Sequence, residues 1–376
     1  MQSKSKTVLA ALLDTHSEVA TIVNECQLEE EPLSRTALRD AQAALGSVET
    51  EGEGIRHYGD ADAEYESLIA SAGLIDRSDR GKLRIEGGDR ARFLHGMLTN
   101  TVETLGPGEG NHTALTDPQG RTQADMHLYS RGDVFFVETE PGLQADVFTF
   151  LDQFLIADDV TIEDVTEAWC IMGVQGPQSP GVLSDLGTDL PEDVYDSVDV
   201  PGGGWVVKRI YAADVGYDLW IPADKAVDAW TGLVEKGARP AGLEAAERRR
   251  IERGHPRYGV DVDTRVVPLE AGLEDTVSFT KGCFIGQETL AKMHNLGKPR
   301  RYLVGLAIGR DNPPESGDQI LDGEKVVGDV KSWVESPRMG GMIALASVRR
   351  GSETPGTTLR LQNGDEATVT ALPFIP

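Results

Sequence analysis

Two hydrophobic periods alternate along the chain, and their changes lay out an expected fold. Val8, Leu9, Leu12, Leu13, Val19, Ile22 and Val23 recur at helical spacing. A second helix is expected from Ser34, an N-cap residue, to Gly46, a stop signal. The stretch "GSVETEGEG" carries no apolar period and reads as an exposed linker, so residues 1–50 are expected to form a helical N-terminal extension. From about residue 65 short strands and amphipathic helices alternate. "AEYESLIASAGLI", "DRARFLHGMLTN" and "LQADVFTFLDQFLI" repeat apolar residues at helical spacing, whereas "GKLRIEG", "RTQADMHLYS" and "DVFFVETE" alternate as strands. The same mixture returns between Ala168 and Lys236. After Arg301 the helical period disappears. "YLVGLAI", "KVVGDVKSWV", "MIALASV" and "TLRLQ" then predict strands of a small barrel or sandwich. The class is α+β, with one region over residues 51–297 and another over 298–376.

Composition narrows the function classes. Of 376 residues, 62 are acidic and 36 basic, giving a net charge of −26 with arginine the commoner cation. Such a surface repels phosphate backbones and argues against nucleic-acid binding. It is also the surface expected of a protein adapted to concentrated salt. A local basic strip such as "KPRRY" reads as a linker and first barrel strand. Cys26, Cys170 and Cys283 are odd in number and widely spaced, which fits neither a disulfide framework nor a zinc site. The apolar run before Asp14 is too short for a signal peptide, and no run reaches membrane length. A soluble, cytoplasmic protein is expected. "LGPGEGN" lacks the Lys-Ser/Thr of a phosphate loop, and HExxH, GxSxG and CxxC are absent.

The segment with most chemistry is "SFTKGCFIGQETL", residues 278–290. Cys283 lies between Gly282 and Gly286, two residues from Lys281 and before an expected helix start at "GQETLAKM". A nearby cation and a helix N-terminus both favour the thiolate, and the glycines leave the sulfur uncrowded. The alternative is a buried, inert cysteine filling a tight turn. His294 follows Cys283 by eleven residues and is a weak second ligand candidate; His95, His127 and His255 read as structural, and no metal site is expected.

"KGCFIGQE", preceded by "PLEAGLEDTVSF", resembles the signature of the YgfZ-type folate-binding proteins that help maintain iron–sulfur enzymes. Those proteins are relatives of the T protein (GcvT) of the glycine cleavage system, the aminomethyltransferase. "GLIDRSDRGKLRIEG", "FLHGMLTN", "GVQGPQSPGVL", "GLEAAERRRIERGHPRYGVDV" and "VVGDVKSWVESPRMGGMIALASV" resemble further segments of that superfamily, in order. The resemblance implies three lobes around a folate channel, closed by a C-terminal β-barrel, with tetrahydrofolate or a one-carbon-substituted reduced folate bound. By motif position Asp125 matches the catalytic carboxylate of T proteins, while Ala124 replaces the aspartate before it. Asp218 in "VGYDLWIP" stands where T proteins carry a pterin-clamping glutamate, and Tyr217 could add an aromatic wall. Ala246 replaces an arginine of the family, so Arg248, Arg249 or Arg250 could reach folate carboxylates, unless they pair with Glu244, Glu247 and Glu252. On this resemblance Cys283, Asp125 and Lys281 are the candidate reactive groups, and Asp125, Tyr217, Asp218 and Arg250 the folate contacts. The reading places the chain in assembly or repair of iron–sulfur client proteins. Folate-dependent aminomethyl transfer from a lipoyl carrier, or a related demethylation, is the alternative. A folate module in RNA modification is a third, disfavoured by the charge.

Overall fold

The computed structural model describes residues 33–50, 54–309 and 312–375; the helix expected near residues 7–25, and Cys26 with it, lie outside the described residues. The first described element is the helix Leu33–Ala43, which ends before Gly46 at φ 84°. The expected linker after it is instead a hairpin, in which Val48–Thr50 pairs antiparallel with Gly54–His57.

Two sheets follow. The first has strand order Gly110–Thr116, Thr122–Ser130, Val134–Thr139, Gly81–Glu86, Thr161–Asp164 and is antiparallel throughout. The second runs Ser197–Asp199, Trp205–Lys208, Gly216–Pro222, Trp169–Gln175, Gly73–Asp76, Arg239–Pro240, with only the last pair parallel. Strand alternation gives each sheet two different faces. In Thr122–Ser130, Ala124, Met126 and Leu128 enter a core completed by Phe93, Leu94 and Met97 of the helix Arg90–Met97 and by Val147 and Leu151 of Gln144–Asp152. In Gly216–Pro222, Tyr217, Leu219 and Ile221 pack with Leu38 and with Trp230 of the helix Ala226–Glu235.

The opposite faces meet each other. Tyr129, Phe136, Trp205 and Trp220 form an aromatic layer between the sheets, with the two indoles stacked at 4.3 Å and Tyr129 edge-on at 5.2 and 5.8 Å. Arg301–Ile308, Gly341–Arg349, Lys325–Ser336, Gln319–Asp322, Thr358–Leu361 and Glu366–Thr370 close into a barrel, resolving the barrel-or-sandwich alternative. The helix Leu243–Glu252 links the sheets to this barrel. Its fully buried Glu252 accepts from Tyr65 (2.7 Å), Arg249 (2.6 Å) and Ser336 of the barrel. No described helix is long and apolar enough to cross a membrane.

Candidate functional site

A cavity of about 570 Å³ opens where the two sheets, the helix Leu243–Glu252 and the loops at 254–260 and 272–275 converge. Asp125, His112, His127, Arg209 and Asp275 line one part of it, and Arg77, Asp79, Arg80 and Glu140 another. The helix Leu33–Ala43 stands behind this second part, where Gln42 donates to Asp76 at 2.8 Å.

Hairpin register creates the first group. Gly110–Thr116 pairs with Thr122–Ser130 so that His112 opposes His127 and Ala114 opposes Asp125. Directly opposed side chains touch and diagonal ones remain in reach. The two imidazoles stack at 4.6 Å with 6° between their planes, and His112 Nε2 reaches diagonally to Asp125 Oδ1. His112 Nδ1 meets Asp275 Oδ2 at 2.9 Å. Burial alone would lower the pKa of His112, but Asp125 and Asp275 overcome it and raise the value to about 9. His127 is driven the other way, first by burial and then by Arg209 and His112. Arg209 donates to His127 Nδ1 at 3.1 Å, fixing which nitrogen accepts. His127 is therefore part of the site, not merely structural packing.

A buried ionic cluster lies beneath the second part. Glu138, fully buried, accepts from Arg77 at 2.8 Å, from Tyr129 at 2.9 Å, and pairs with Arg80. Burial would raise its pKa, yet the three nearby guanidiniums of Arg77, Arg80 and Arg209 hold it far below the carboxylate range. Arg77 also pairs with Asp218, and the ring of Tyr211 lies 4.3 Å from its guanidinium.

This arrangement revises two expected folate contacts. Asp218 is fully buried behind Arg77 and does not line the cavity. A guanidinium occupies the place where a pterin's donor edge was expected. Tyr217 cannot share a ligand with Asp218, because adjacent strand residues face opposite sides, and its ring sits in the core beside Leu38 and Trp230. Arg250 does line the cavity, but its donors go to Glu247 (2.8 Å), Asp261 (2.6 Å), the His255 carbonyl (2.7 Å) and Ser332 (3.2 Å). Arg248 and Arg249 bind Glu244 and Glu252, so the intrahelical pairing is the one realised.

The cysteine segment is built differently from its expectation. Cys283 is exposed, as a reactive thiol requires, but it does not line the described cavity. Lys281 does not serve the thiol. Its ammonium donates to the carbonyls of His95, Leu98 and Asn100 at 2.5–2.9 Å, tying the loop to the end of the helix Arg90–Met97, and burial lowers its pKa to about 8. Phe284 is buried with Leu269 and Leu290, and the helix Gln287–Leu296 starts three residues later. His294 stacks on Phe279 at 4.0 Å. Gly286 has φ 86°, and a Cβ there would lie 2.6 Å from the Asp117 carbonyl, where the loop rests on the turn between the two site strands. Gly286→Ala is expected to cost at least about 1–2 kcal/mol, from the left-handed backbone alone. Thermal unfolding checks the cost, and the rate of Cys283 alkylation reports displacement of the loop.

Residues 53–281 match the GCVT N-terminal domain, and residues 301–375 match the glycine cleavage T-protein C-terminal barrel domain. The chain belongs to the glycine cleavage T-protein family. It is 32% identical over 352 residues to an aminomethyltransferase of Rubrobacter xylanophilus, covering 91% of this chain and 94% of that one. An aminomethyltransferase of Streptomyces coelicolor is 30% identical over 342 residues, covering 86% and 92%. The glycine cleavage system aminomethyltransferase T of Bartonella henselae shares the fold, with a TM-score of 0.83 at 22% identity over 90% of this chain and 97% of that one. These T-protein relatives carry the aminomethyltransferase name, which shifts the weight from the iron–sulfur reading to the transferase alternative.

Proposed function

We propose that the chain binds a reduced folate in the cavity beside Asp125 and handles a one-carbon unit there, as a folate-dependent transferase of the aminomethyltransferase kind. The observation that carries this reading is the placement of Asp125: family motif position and cavity wall coincide on one carboxylate. The cavity volume falls in the range of small-molecule sites. Two carboxylates suit the donor groups of a pterin, which need oxygens not already committed. Asp125 Oδ2 meets no donor from the described residues. Asp79 lines the same cavity without a side-chain hydrogen bond from the described residues, and its enclosed position, then Asp76, raises its pKa. The folate amine would supply the nucleophile that accepts the one-carbon unit. Asp125 would orient that amine and receive its proton at Oδ2.

Incubation with tetrahydrofolate and an aminomethyl-lipoyl carrier protein tests the reading. Ammonia release that depends on both additions is the expected result; absence of both folate binding and ammonia release removes it. A second reading, iron–sulfur maintenance, is favoured by one observation, the exposed thiol of Cys283 within the intact "KGCFIGQE" segment. On the transferase reading Cys283→Ala retains ammonia release to within about twofold, since a surface substitution away from the pocket changes little. Loss of support for iron–sulfur enzymes in the same variant, with wild-type protein showing no transfer, would establish the second reading instead.

A further inference from the structure

We propose that His112 is the positioning residue of this site: a charged imidazolium bridging the side chains of Asp125 and Asp275, which fixes Asp125 in place and leaves its Oδ2 for the ligand. The argument starts from donors and acceptors. Ionised carboxylates only accept hydrogen bonds. His112 meets a carboxylate at each ring nitrogen, Asp125 at Nε2 and Asp275 at Nδ1, so both nitrogens must carry hydrogen for both contacts to hold. A neutral imidazole has a single N–H and can donate to only one of two ionised carboxylates.

The neighbours enforce the same division of charge. His127 is stacked face to face on His112, and two adjacent imidazoliums would repel. Arg209 supplies a hydrogen bond to His127 Nδ1, which demands a lone pair there and keeps that ring neutral. The opposed directions of the two histidines, one up to about 9 and the other well down, agree with this assignment. The groups facing His112 are Asp125 and His127 from the partner strand, Asp275 from the turn at Glu274–Thr276, and Tyr195, whose ring centre lies 6.3 Å away. Arg209 stands beyond His127, and His255, lowered to about 4, remains neutral on the cavity wall.

The sign of the pH dependence follows. The folded-state pKa of His112 lies above its usual 6.5, so its contribution to stability is complete below about 6.5 and is lost as pH rises through about 9. Above that, one carboxylate loses its donor and Asp125 is no longer fixed. The consequence for the ligand rests on the folate reading, whereas the charge state of His112 does not.

The test is a histidine-selective proton–nitrogen NMR titration of the full chain, with tetrahydrofolate binding measured at each pH. The expected spectrum holds one imidazole with both nitrogens protonated at pH 7 and titrating near 9, a signal missing in His112→Gln. Asp125→Asn and Asp275→Asn should each lower that midpoint by about 1 on the pH scale or more, the effect of removing an adjacent opposite charge. Tetrahydrofolate affinity should fall about tenfold as the pH passes that midpoint, and stay flat across it in His112→Gln. A His112 that is neutral at pH 7, or whose titration ignores Asp125→Asn, overturns the assignment. A bridging imidazolium in a protein that binds no reduced folate upholds the charge assignment and removes the folate reading alone.

Discussion

Asp125→Asn is expected to leave the fold intact and to reduce folate-dependent transfer by about 10²–10⁴-fold, the usual contribution of a positioned acid–base group. The substitution keeps size and shape but replaces an acceptor oxygen with an amide. His112 then faces one carboxylate, Asp275, in place of two. The loss should fall mainly on turnover if the carboxylate acts in the transition state, and on substrate binding if it only holds the pterin. Steady-state kinetics with ammonia as the product separates these outcomes. Retention of wild-type turnover would take Asp125 out of the chemistry and with it the main argument for the transferase reading.

The second large effect is structural. Glu138→Ala should destabilise the protein by about 3–5 kcal/mol, the cost of breaking a buried pair by removing one partner. Glu138 is inaccessible to solvent and gathers Arg77, Arg80 and the Tyr129 hydroxyl at the meeting of the two sheets. Without it two guanidiniums stay buried with less compensation. Asp218 and Glu140 remain as partners, which makes collapse of the whole fold avoidable. Arg84→Ala, which removes two half-exposed pairs, with Glu86 at 2.6 Å and Glu163 at 3.4 Å, should change stability by no more than about 0.5 kcal/mol. Chemical denaturation of both variants gives the comparison. The share contributed by Glu138 also has a pH signature: its folded pKa is depressed, so that share is present above about 4.5 and fades as the solution becomes more acidic.

What could be read from the chain depended on the range of the interaction. Periodicity located the strands and helices because it reports only which face of each element is apolar. That signal placed Thr122–Ser130, Val134–Thr139 and the barrel strands. It missed the hairpin of Val48–Thr50 and Gly54–His57, whose strands of three and four residues are too short to show an alternating period. Asp125 was found from motif position, and the cavity contains it. His112 was not found. Its partnership with Asp125 follows from the hairpin register, and the "TDPQGR" turn was the one local signal that could have set that register in advance.

The sequence by itself determined the α+β class, an all-β C-terminal region and the two chemically distinctive segments around Asp125 and Cys283. Only the tertiary structure decided which charges were available. Asp218 is taken by Arg77, Lys281 by three carbonyls and Arg250 by acids and a barrel serine, while Asp125 Oδ2 meets no donor from the described residues. Local patterns cannot foresee this, because a buried charge takes its partner from whatever the packing brings within about 3–4 Å, however far away in the chain.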